Sequence, residues 1–219
     1  MNNFDTISKG IKGWNKTGRS LKEADEIFRT PVEFLVSELP VLDNSSEYVN
    51  IYLGYNEETS SLFITLIQSG RDTLIRYKEY PEEIAKEIVL IEATKREFIG
   101  LGGTDHSIEA KEASKRIKRW QNERLRMKVM KRVKSAPLIF EIPKSNFEVK
   151  KIKRLLFGIK RPFLKRMDYD LILEAEDINT DGITAGQIFY DTARPVPPFK
   201  PIGSKGLHEF LELPSLFEK

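Results

Sequence analysis

The positive charge of this chain is concentrated in one stretch, residues 109–166. That stretch contains 20 of the 36 Lys and Arg residues but only 5 of the 33 Asp and Glu residues, a net charge of +15. The other 161 residues carry 16 basic and 28 acidic side chains, which gives −12. Because like charges repel, a basic block of this size needs a polyanion, an acidic partner or acidic segments of its own chain nearby. Any fold of this chain has to satisfy that requirement.

Composition excludes several classes of protein. Of the 219 residues, 40% are hydrophobic and 10% aromatic, which is enough apolar material to bury a core. The absence of cysteine excludes disulfides, thiolate nucleophiles and Cys-ligated zinc or iron–sulfur sites. The N-terminal residues contain no apolar run typical of a signal peptide, and no run elsewhere has the length of a membrane span. We therefore expect a cytoplasmic protein.

The periodicity of the apolar residues predicts an α+β fold. Three segments rich in β-branched and aromatic residues, separated by turn residues, predict an antiparallel β-meander over 48–55, 62–67 and 74–77. A further strand is expected over 138–142, and a C-terminal hairpin over 169–175 and 183–190. The expected architecture is this meander plus the C-terminal hairpin, packed with several helices, of which one is long and basic.

Capping residues predict where the helices begin. Ser20 and Ser145 each precede a Glu by three residues, as in a capping box, and Pro31 and Pro81 fit the first helical position. Helices are therefore expected from Ser20 onward and over 31–38, 81–98, 107–134 and 145–158.

The domain organisation follows from composition along the chain. Residues 1–19 are polar and contain glycine, which favours a flexible N-terminal arm. Residues 20–219 are interpreted as a single α+β domain, with a possible subdomain seam near 100–107 or near 135. Residues 194–203 form a Pro-rich tail, which is typical of a segment that wraps its own domain and also resembles a polyproline ligand.

The predicted helix over 107–134 is clearly amphipathic only in its first half. One stripe of apolar residues recurs every three or four positions in that half, at Ala110, Ala113, Ile117 and Trp120, and resumes at Met127, Met130 and Val133. Arg124 and Lys131 fall where the stripe should continue, so the second half is basic nearly all round. We expect this second half to project or to contact an anion, while Trp120 anchors the first half in the core.

The candidate polyanion-binding residues are most of the cations of this helix together with cations of the basic run that follows it. They are Lys111, Lys115, Lys118, Arg119, Arg124, Arg126, Lys128, Lys131, Arg132, Lys150, Lys151, Lys153, Arg154, Lys160 and Arg161. Lys and Arg are the residues that neutralise phosphate groups. Four nearby aromatic residues have the chemistry to stack on unpaired bases, although core packing explains most of them equally well: Trp120, Phe147, Phe157 and Phe163.

Three functions are consistent with the basic block, beside an interpretation in which it merely pairs with acidic segments such as residues 168–177. The first is a non-enzymatic binding or assembly protein that engages the backbone of nucleic acid, RNA or DNA, without sequence specificity. The second is a matrix-like structural protein or complex subunit that binds an anionic membrane or an acidic protein and forms homo-oligomers through the Met/Val end of the helix. The third, ranked last, is an enzyme such as a metal-dependent nuclease.

The weaker motifs predict neither a cofactor nor a metal nor a catalytic residue. Residues 177–182 match the first half of a calcium loop, but Ile188 stands where that loop needs a carboxylate, so a hairpin turn is expected. The glycines of 100–103 lack the preceding strand and the following Lys of a phosphate-binding loop. His106 and His208 are the only histidines, and neither stands in a metal-ligand pattern.

Overall fold

The computed structural model describes residues 4–44, 46–95, 110–148, 151–161, 167–178, 184–190 and 194–196. The helices in this part of the chain are α1 (Phe4–Thr17), α2 (Leu21–Ile27), α3 (Leu74–Glu79), α4 (Pro81–Glu87), α5 (Ala110–Gln121), α6 (Glu123–Val133) and α7 (Ser145–Glu148). The strands are β1 (Val32–Leu35), β2 (Tyr48–Asn56), β3 (Ser61–Gln68), β4 (Val89–Lys95), β5 (Ile139–Pro143), β6 (Lys151–Lys160), β7 (Asp168–Ile178), β8 (Thr184–Tyr190) and β9 (Arg194–Val196).

These strands form one antiparallel sheet in the order β8-β7-β6-β1-β4-β3-β2-β5-β9. The combination of helices and an antiparallel sheet confirms the predicted α+β fold. The sheet has two parts, the β2 half (β2, β3, β4 and β5) and the β6 half (β6, β7 and β8). β1 joins them, because it pairs with β4 on one side and with β6 on the other. β7 also contacts β9, which brings the two ends of the sheet close together.

The predicted meander exists, but its third strand is a different segment. Residues 74–77 are helical in α3, because the Thr73 side chain accepts a hydrogen bond from the Arg76 N–H and caps a helix there. The third strand is β4, which pairs with β3. The helix expected over 81–98 therefore ends at Glu87, and the β-branched run after it enters the sheet.

The segment expected as a helix over 31–38 is instead the strand β1. Phe34 is fully buried and lies opposite Ala93 of β4 and Leu155 of β6. Pairing on both sides thus overrides the helix-start signal of Pro31, a local preference of modest size.

The N-terminal residues also differ from expectation, since α1 is a core helix rather than a flexible arm. Phe4, Ile7, Ile11 and Trp14 recur every three or four residues, and all four are buried. The indole Nε1–H of Trp14 donates to the carbonyl of Pro137 at 2.8 Å, which ties α1 to the chain just before β5.

Residues near the second candidate seam lie inside the fold. Ser135 is buried, and its carbonyl accepts a hydrogen bond from the Tyr169 hydroxyl of β7. The N–H of Ala136 donates to the carbonyl of Gly18 at 2.9 Å. The first candidate seam, residues 100–107, lies outside the described residues. Within the Pro-rich tail, β9 pairs with β5 as a strand, and residues 197–203 are outside the described part.

The helix predicted over 107–134 is broken into α5 and α6 at Asn122. The backbone of Asn122 is extended, and its side chain accepts the Leu125 N–H at 3.1 Å, which is the geometry of an N-cap. α5 packs on β6, while α6 packs on α2 and on α5. None of the helices in the described ranges is long and apolar enough to cross a bilayer.

The helix expected over 145–158 is also replaced. α7 lasts one turn, and residues 151–160 form β6. Leu155, Phe157 and Ile159 alternate along β6 and are buried against the main core, while Leu156 faces α5 on the other side. A helix would place these four residues on several faces, whereas a strand with its ladder to β7 buries them all.

Candidate nucleic-acid interface

Most arginines of residues 110–161 point inward and form ion pairs with carboxylates. Arg126 is the clearest example, because its guanidinium is buried and lies 2.8 Å from the carboxylate of Asp25 on α2. It also donates to the Trp120 carbonyl at 2.9 Å, and its Cζ lies 5.8 Å from the centroid of the Trp120 ring. Arg126 therefore joins α6 to α2 and is not available to a ligand.

Arg154 of β6 is held by two carboxylates. Its Nε and Nη2 donate to Glu174 of β7 at 2.7 and 2.8 Å, and its Nη1 donates to Glu33 of β1 at 2.9 Å. The paired, planar geometry of this contact is specific to arginine. Its hydrogen bonds to Glu174 are the main reason why the pKa of Arg154 is raised above its ordinary value.

Strand β7 supplies most of the remaining acidic partners. Ion pairs join Arg116 to Asp170 at 2.9 Å, Lys160 to Asp170 at 3.9 Å, Arg132 to Asp168 at 3.5 Å and Lys153 to Glu176 at 2.6 Å. Part of the block is thus neutralised by acidic residues of the same chain. Two acids of this strand, Asp170 and Glu174, are fully buried.

The charge that remains exposed on residues 110–161 is almost entirely positive. Where exposure is described, eight cations are exposed, namely Lys111, Lys115, Lys118, Arg124, Lys128, Lys131, Lys134 and Arg161. Glu123 is the one exposed acid in the same described set. Inward pairing of the acids with arginine therefore leaves an excess of seven positive charges at the surface of this region.

Six of these cations form two matching rows, which we call the cationic ridge: Lys111, Lys115 and Lys118 on α5, and Arg124, Lys128 and Lys131 on α6. Each row has the spacing i, i+4, i+7, which places its three side chains on one face of the helix. Within the ridge, Lys115 lies 4.0 Å from Glu112 and is still more than half exposed.

The other predicted site residues do not join the ridge. Ion pairs hold the partly buried residues Arg119, Arg132, Lys153, Arg154 and Lys160. Arg126 is fully buried in its ion pair. Arg161 is exposed at the end of β6. Lys150 lies outside the described residues, and of Lys151 only the backbone is described.

Sequence reasoning missed several residues that shape this surface. Asp25 and Glu33 lie about a hundred residues before the arginines they hold, so no local pattern identifies them. Arg116 was not a candidate, although it pairs with the buried Asp170. The break at Asn122 had a signal, because Asn is a preferred N-cap residue and here interrupts the apolar stripe.

Several side chains proposed as partner contacts are instead part of the core. Trp120, Phe147 and Phe157 are 6%, 3% and 2% exposed, which confirms Trp120 as a core anchor and removes all three as exposed stacking groups. Phe163 lies outside the described residues. Met130 is buried, and Met127 and Val133 are partly buried against the core. Oligomerisation through this end of α6 stays a prediction.

A second polar cluster lies in the β2 half around Asp72. This buried carboxylate accepts hydrogen bonds from Asn50 at 2.5 Å, from the Tyr77 hydroxyl at 2.7 Å and from the Tyr52 hydroxyl. Burial, reinforced by the adjacent Asp72, raises the pKa of Tyr52 well above 10.0. Asp72 and its three partners are at most 1% exposed, so the cluster fixes α3 on the sheet and is closed to solvent.

The described residues present no metal-binding group of three or more His, Cys, Asp or Glu side chains. Both histidines, and the turn that resembles a calcium loop over 179–182, lie outside them. An open groove of about 580 Å³ between α2, β1 and the β2–β3 turn is lined by hydroxyl groups, by Glu23 and Glu26, and by Lys95. No residue of α5 or α6 lines this groove, so it does not extend the cationic ridge.

No protein-family model, curated protein or solved structure matches this chain. Function is therefore inferred from the exposure, pairing and charge of the described side chains.

Proposed function

We propose that this protein is a non-enzymatic, cytoplasmic binding protein whose cationic ridge engages the backbone of nucleic acid without sequence specificity. One observation carries the proposal: among the residues of 110–161 whose exposure is described, the exposed charged side chains are eight cations and one acid. An exposed surface of one sign is the electrostatic footprint of proteins that neutralise phosphates.

The ridge is an unfavourable arrangement in the absence of a ligand. Like charges three or four residues apart on a helix repel by roughly 0.2–0.5 kcal/mol per pair, and each row contains two such pairs. The fold neutralises Arg116, Arg126 and Arg154 with carboxylates but leaves the rows exposed. A polyanion bound along the ridge would remove this repulsion, which favours a binding role over a merely solvated surface.

The apolar residues of α5 and α6 argue against a membrane surface as the partner. A helix that lies on a bilayer buries a face of large apolar side chains in the lipid. Among the described residues, the exposed large hydrophobic side chains are Leu35, Leu39, Val41, Tyr48, Ile75 and Tyr80, and none belongs to α5 or α6. The apolar face of these helices is already covered by β6, α2 and the core.

The composition of the ridge supports backbone contact without sequence readout. Specific base recognition relies mainly on Arg, Asn and Gln side chains that reach base edges in a groove. Five of the six ridge residues are lysines, and lysine acts as a hydrated point charge that suits phosphate. Arg124 is the one ridge residue with the fork needed for a bidentate contact to guanine.

The test is a fluorescence-polarisation titration of the full chain against labelled RNA and DNA of mixed sequence over a range of salt concentrations. We expect binding at low salt, similar affinity for unrelated sequences, and a steep loss of affinity as salt rises. The variant Arg124→Gln/Lys128→Gln/Lys131→Gln should weaken binding and reduce the slope of log affinity against log salt by about 3.

A matched control removes the same charge elsewhere. Lys9→Gln/Lys22→Gln/Lys86→Gln changes three exposed lysines of α1, α2 and α4 and should leave the slope unchanged. If both triple variants weaken binding equally, the effect is net charge alone and the ridge is not the site. If the protein binds no nucleic acid at low salt, or binds only anionic vesicles or an acidic protein, the proposal is overturned.

A further inference from the structure

Within residues 110–161, most of the described arginines form ion pairs, whereas the lysines of α5 and α6 lie at the surface. Five of the seven described arginines pair with carboxylates, namely Arg116, Arg119, Arg126, Arg132 and Arg154. The lysines of α5 and α6 are exposed. Arginine is the cation that also stacks on bases, so its placement inward removes most of that capacity from the surface.

The described aromatic side chains near the ridge are buried in the core. The Trp120 ring packs against Phe28 and Phe157, with ring centroids 4.8 and 5.0 Å apart. A base would therefore reach the indole only if the core opened. The exposed aromatic residues in the described ranges are Tyr48 and Tyr80, and both belong to the β2 half and its helices. Proteins that bind unpaired strands rely on exposed aromatic platforms, which contribute about 1–3 kcal/mol per stacked base.

The length of each row in the ridge is comparable to a few phosphate steps of a duplex. Seven residues of helix span about 10.5 Å, and one strand of a B-form duplex presents a phosphate every 3.4 Å or so of axis, so the three cations of a row extend over about three phosphate steps. Two such rows lie on α5 and α6, which pack against each other. A double helix carries two phosphate strands and about twice the charge per length of a single strand.

We infer that the cationic ridge takes the phosphate backbone of a double-stranded nucleic acid, with the bases left paired and uncontacted. This inference rests on the proposed function and adds the class of nucleic acid. The ligand chemistry is shared by DNA and RNA duplexes, which differ in groove width and in the 2′-hydroxyl.

The first test compares four labelled probes of equal length and mixed sequence: a DNA duplex, an RNA duplex, and the corresponding DNA and RNA single strands. We expect duplexes to bind at least about tenfold more tightly at low salt, with a slope of log affinity against log salt near −5 when all six cations engage. Tighter binding by the DNA or by the RNA duplex assigns the source. Single strands that bind as tightly as duplexes overturn this inference and leave the proposed function standing, whereas no binding to any probe removes both.

The second test uses the intrinsic fluorescence of the protein. Trp14 and Trp120 are the two tryptophans of the chain, and both are buried. Because a base stacked on an indole quenches its emission, we expect unchanged tryptophan emission when the protein is saturated with duplex. Quenching that is retained in Trp14→Phe and lost in Trp120→Phe would show that Trp120 stacks on a base, and would overturn the inference.

Discussion

The two halves of the sheet both bury acidic residues, but different kinds of side chain stabilise the buried carboxylates. In the β2 half, Asp72 is held by three neutral donors, Asn50, Tyr52 and Tyr77. In the β6 half, Asp170 and Glu174 are held by arginines and a lysine from α5 and β6. Asp72 thus accepts hydrogen bonds from neutral side chains, whereas Asp170 and Glu174 form ion pairs with cations.

This difference explains where the surface charge of the protein comes from. Each acid buried by pairing takes a guanidinium out of solvent, as Asp170 does with Arg116 and Glu174 does with Arg154. Residues 110–161 contain more cations than these two pairs use, and the six ridge cations of α5 and α6 remain exposed. The ion pairs made by buried carboxylates therefore determine which cations stay exposed to solvent.

The largest effect is expected where a buried charge would lose its partner. Arg126→Met leaves the Asp25 carboxylate buried without its guanidinium, and we expect the free energy of unfolding to fall by about 3–5 kcal/mol in urea denaturation. Arg124→Met, two residues away and exposed, should change it by less than about 0.5 kcal/mol. The double variant Asp25→Leu/Arg126→Met should be more stable than Arg126→Met alone. Equal losses for the two single variants would contradict the inward and outward division.

The Asp72 cluster is expected to show a smaller loss. Asp72→Asn keeps the shape of the side chain but removes the charge that strengthens the hydrogen bonds of Tyr52 and Tyr77. We expect a loss of about 2–3 kcal/mol in unfolding free energy, which guanidinium and thermal denaturation would both report. Glu58→Gln, at an exposed position of the β2–β3 turn, is the matched control and should be neutral. An Asp72→Asn variant as stable as the wild type would show that the cluster is not a stabilising network.

The stability of the protein at alkaline pH should depend on one buried tyrosine in each half of the sheet. Burial, which is the largest cause in both, raises the pKa of Tyr52 in β2 and of Tyr169 in β7 above 10.0. A raised pKa in the folded state gives stability that is present below the unfolded pKa and is lost as the pH rises above it. Unfolding free energy should therefore fall above pH ~10 by about 1.4 kcal/mol per pH unit for each phenol. Denaturation at several alkaline pH values should show a shallower fall in Tyr52→Phe and in Tyr169→Phe, and an unchanged fall in both would refute the assignment.

The smallest effect is a gain in stability. Lys128→Gln removes a charge that lies four residues after Arg124 and three before Lys131, so we expect a gain of a few tenths of a kcal/mol at low ionic strength. High salt should abolish the gain, because exposed charges are then screened. The same variant should bind nucleic acid more weakly, so stability and affinity move in opposite directions. A loss of both would indicate that Lys128 supports the fold rather than a ligand.

The fold could be predicted from the sequence where the local pattern and the tertiary pairing agree. β2, β3, β5 and the β7–β8 hairpin were found because their β-branched and aromatic residues alternate or run between turns. For the segments of β1 and β6 the sequence predicts helices, because Pro31 and Ser145 are local helix-start signals. In both cases partner strands far along the chain decide the structure, as Phe34 opposite Leu155 shows.

The candidate site could be predicted only in outline. Charge counting indicates the region that carries the exposed cations, and the helical spacing of Lys111, Lys115 and Lys118 is visible in the sequence. It could not separate Arg124 from Arg126, because the buried partner of Arg126 is Asp25, about a hundred residues earlier. Which cations face solvent is a property of long-range pairing and therefore of the fold.

The placement of arginine inside and lysine outside has a consequence for how this protein can change over evolutionary time. At Arg116, Arg126 and Arg154, an exchange to lysine would lose the planar fork that holds two acceptors at once, so these positions should drift very slowly. At the six ridge positions the proposed contact with phosphates depends on the charge and its reach, so another cation should be tolerated there. The interior would thus preserve residue identity, while the surface preserves only the total charge.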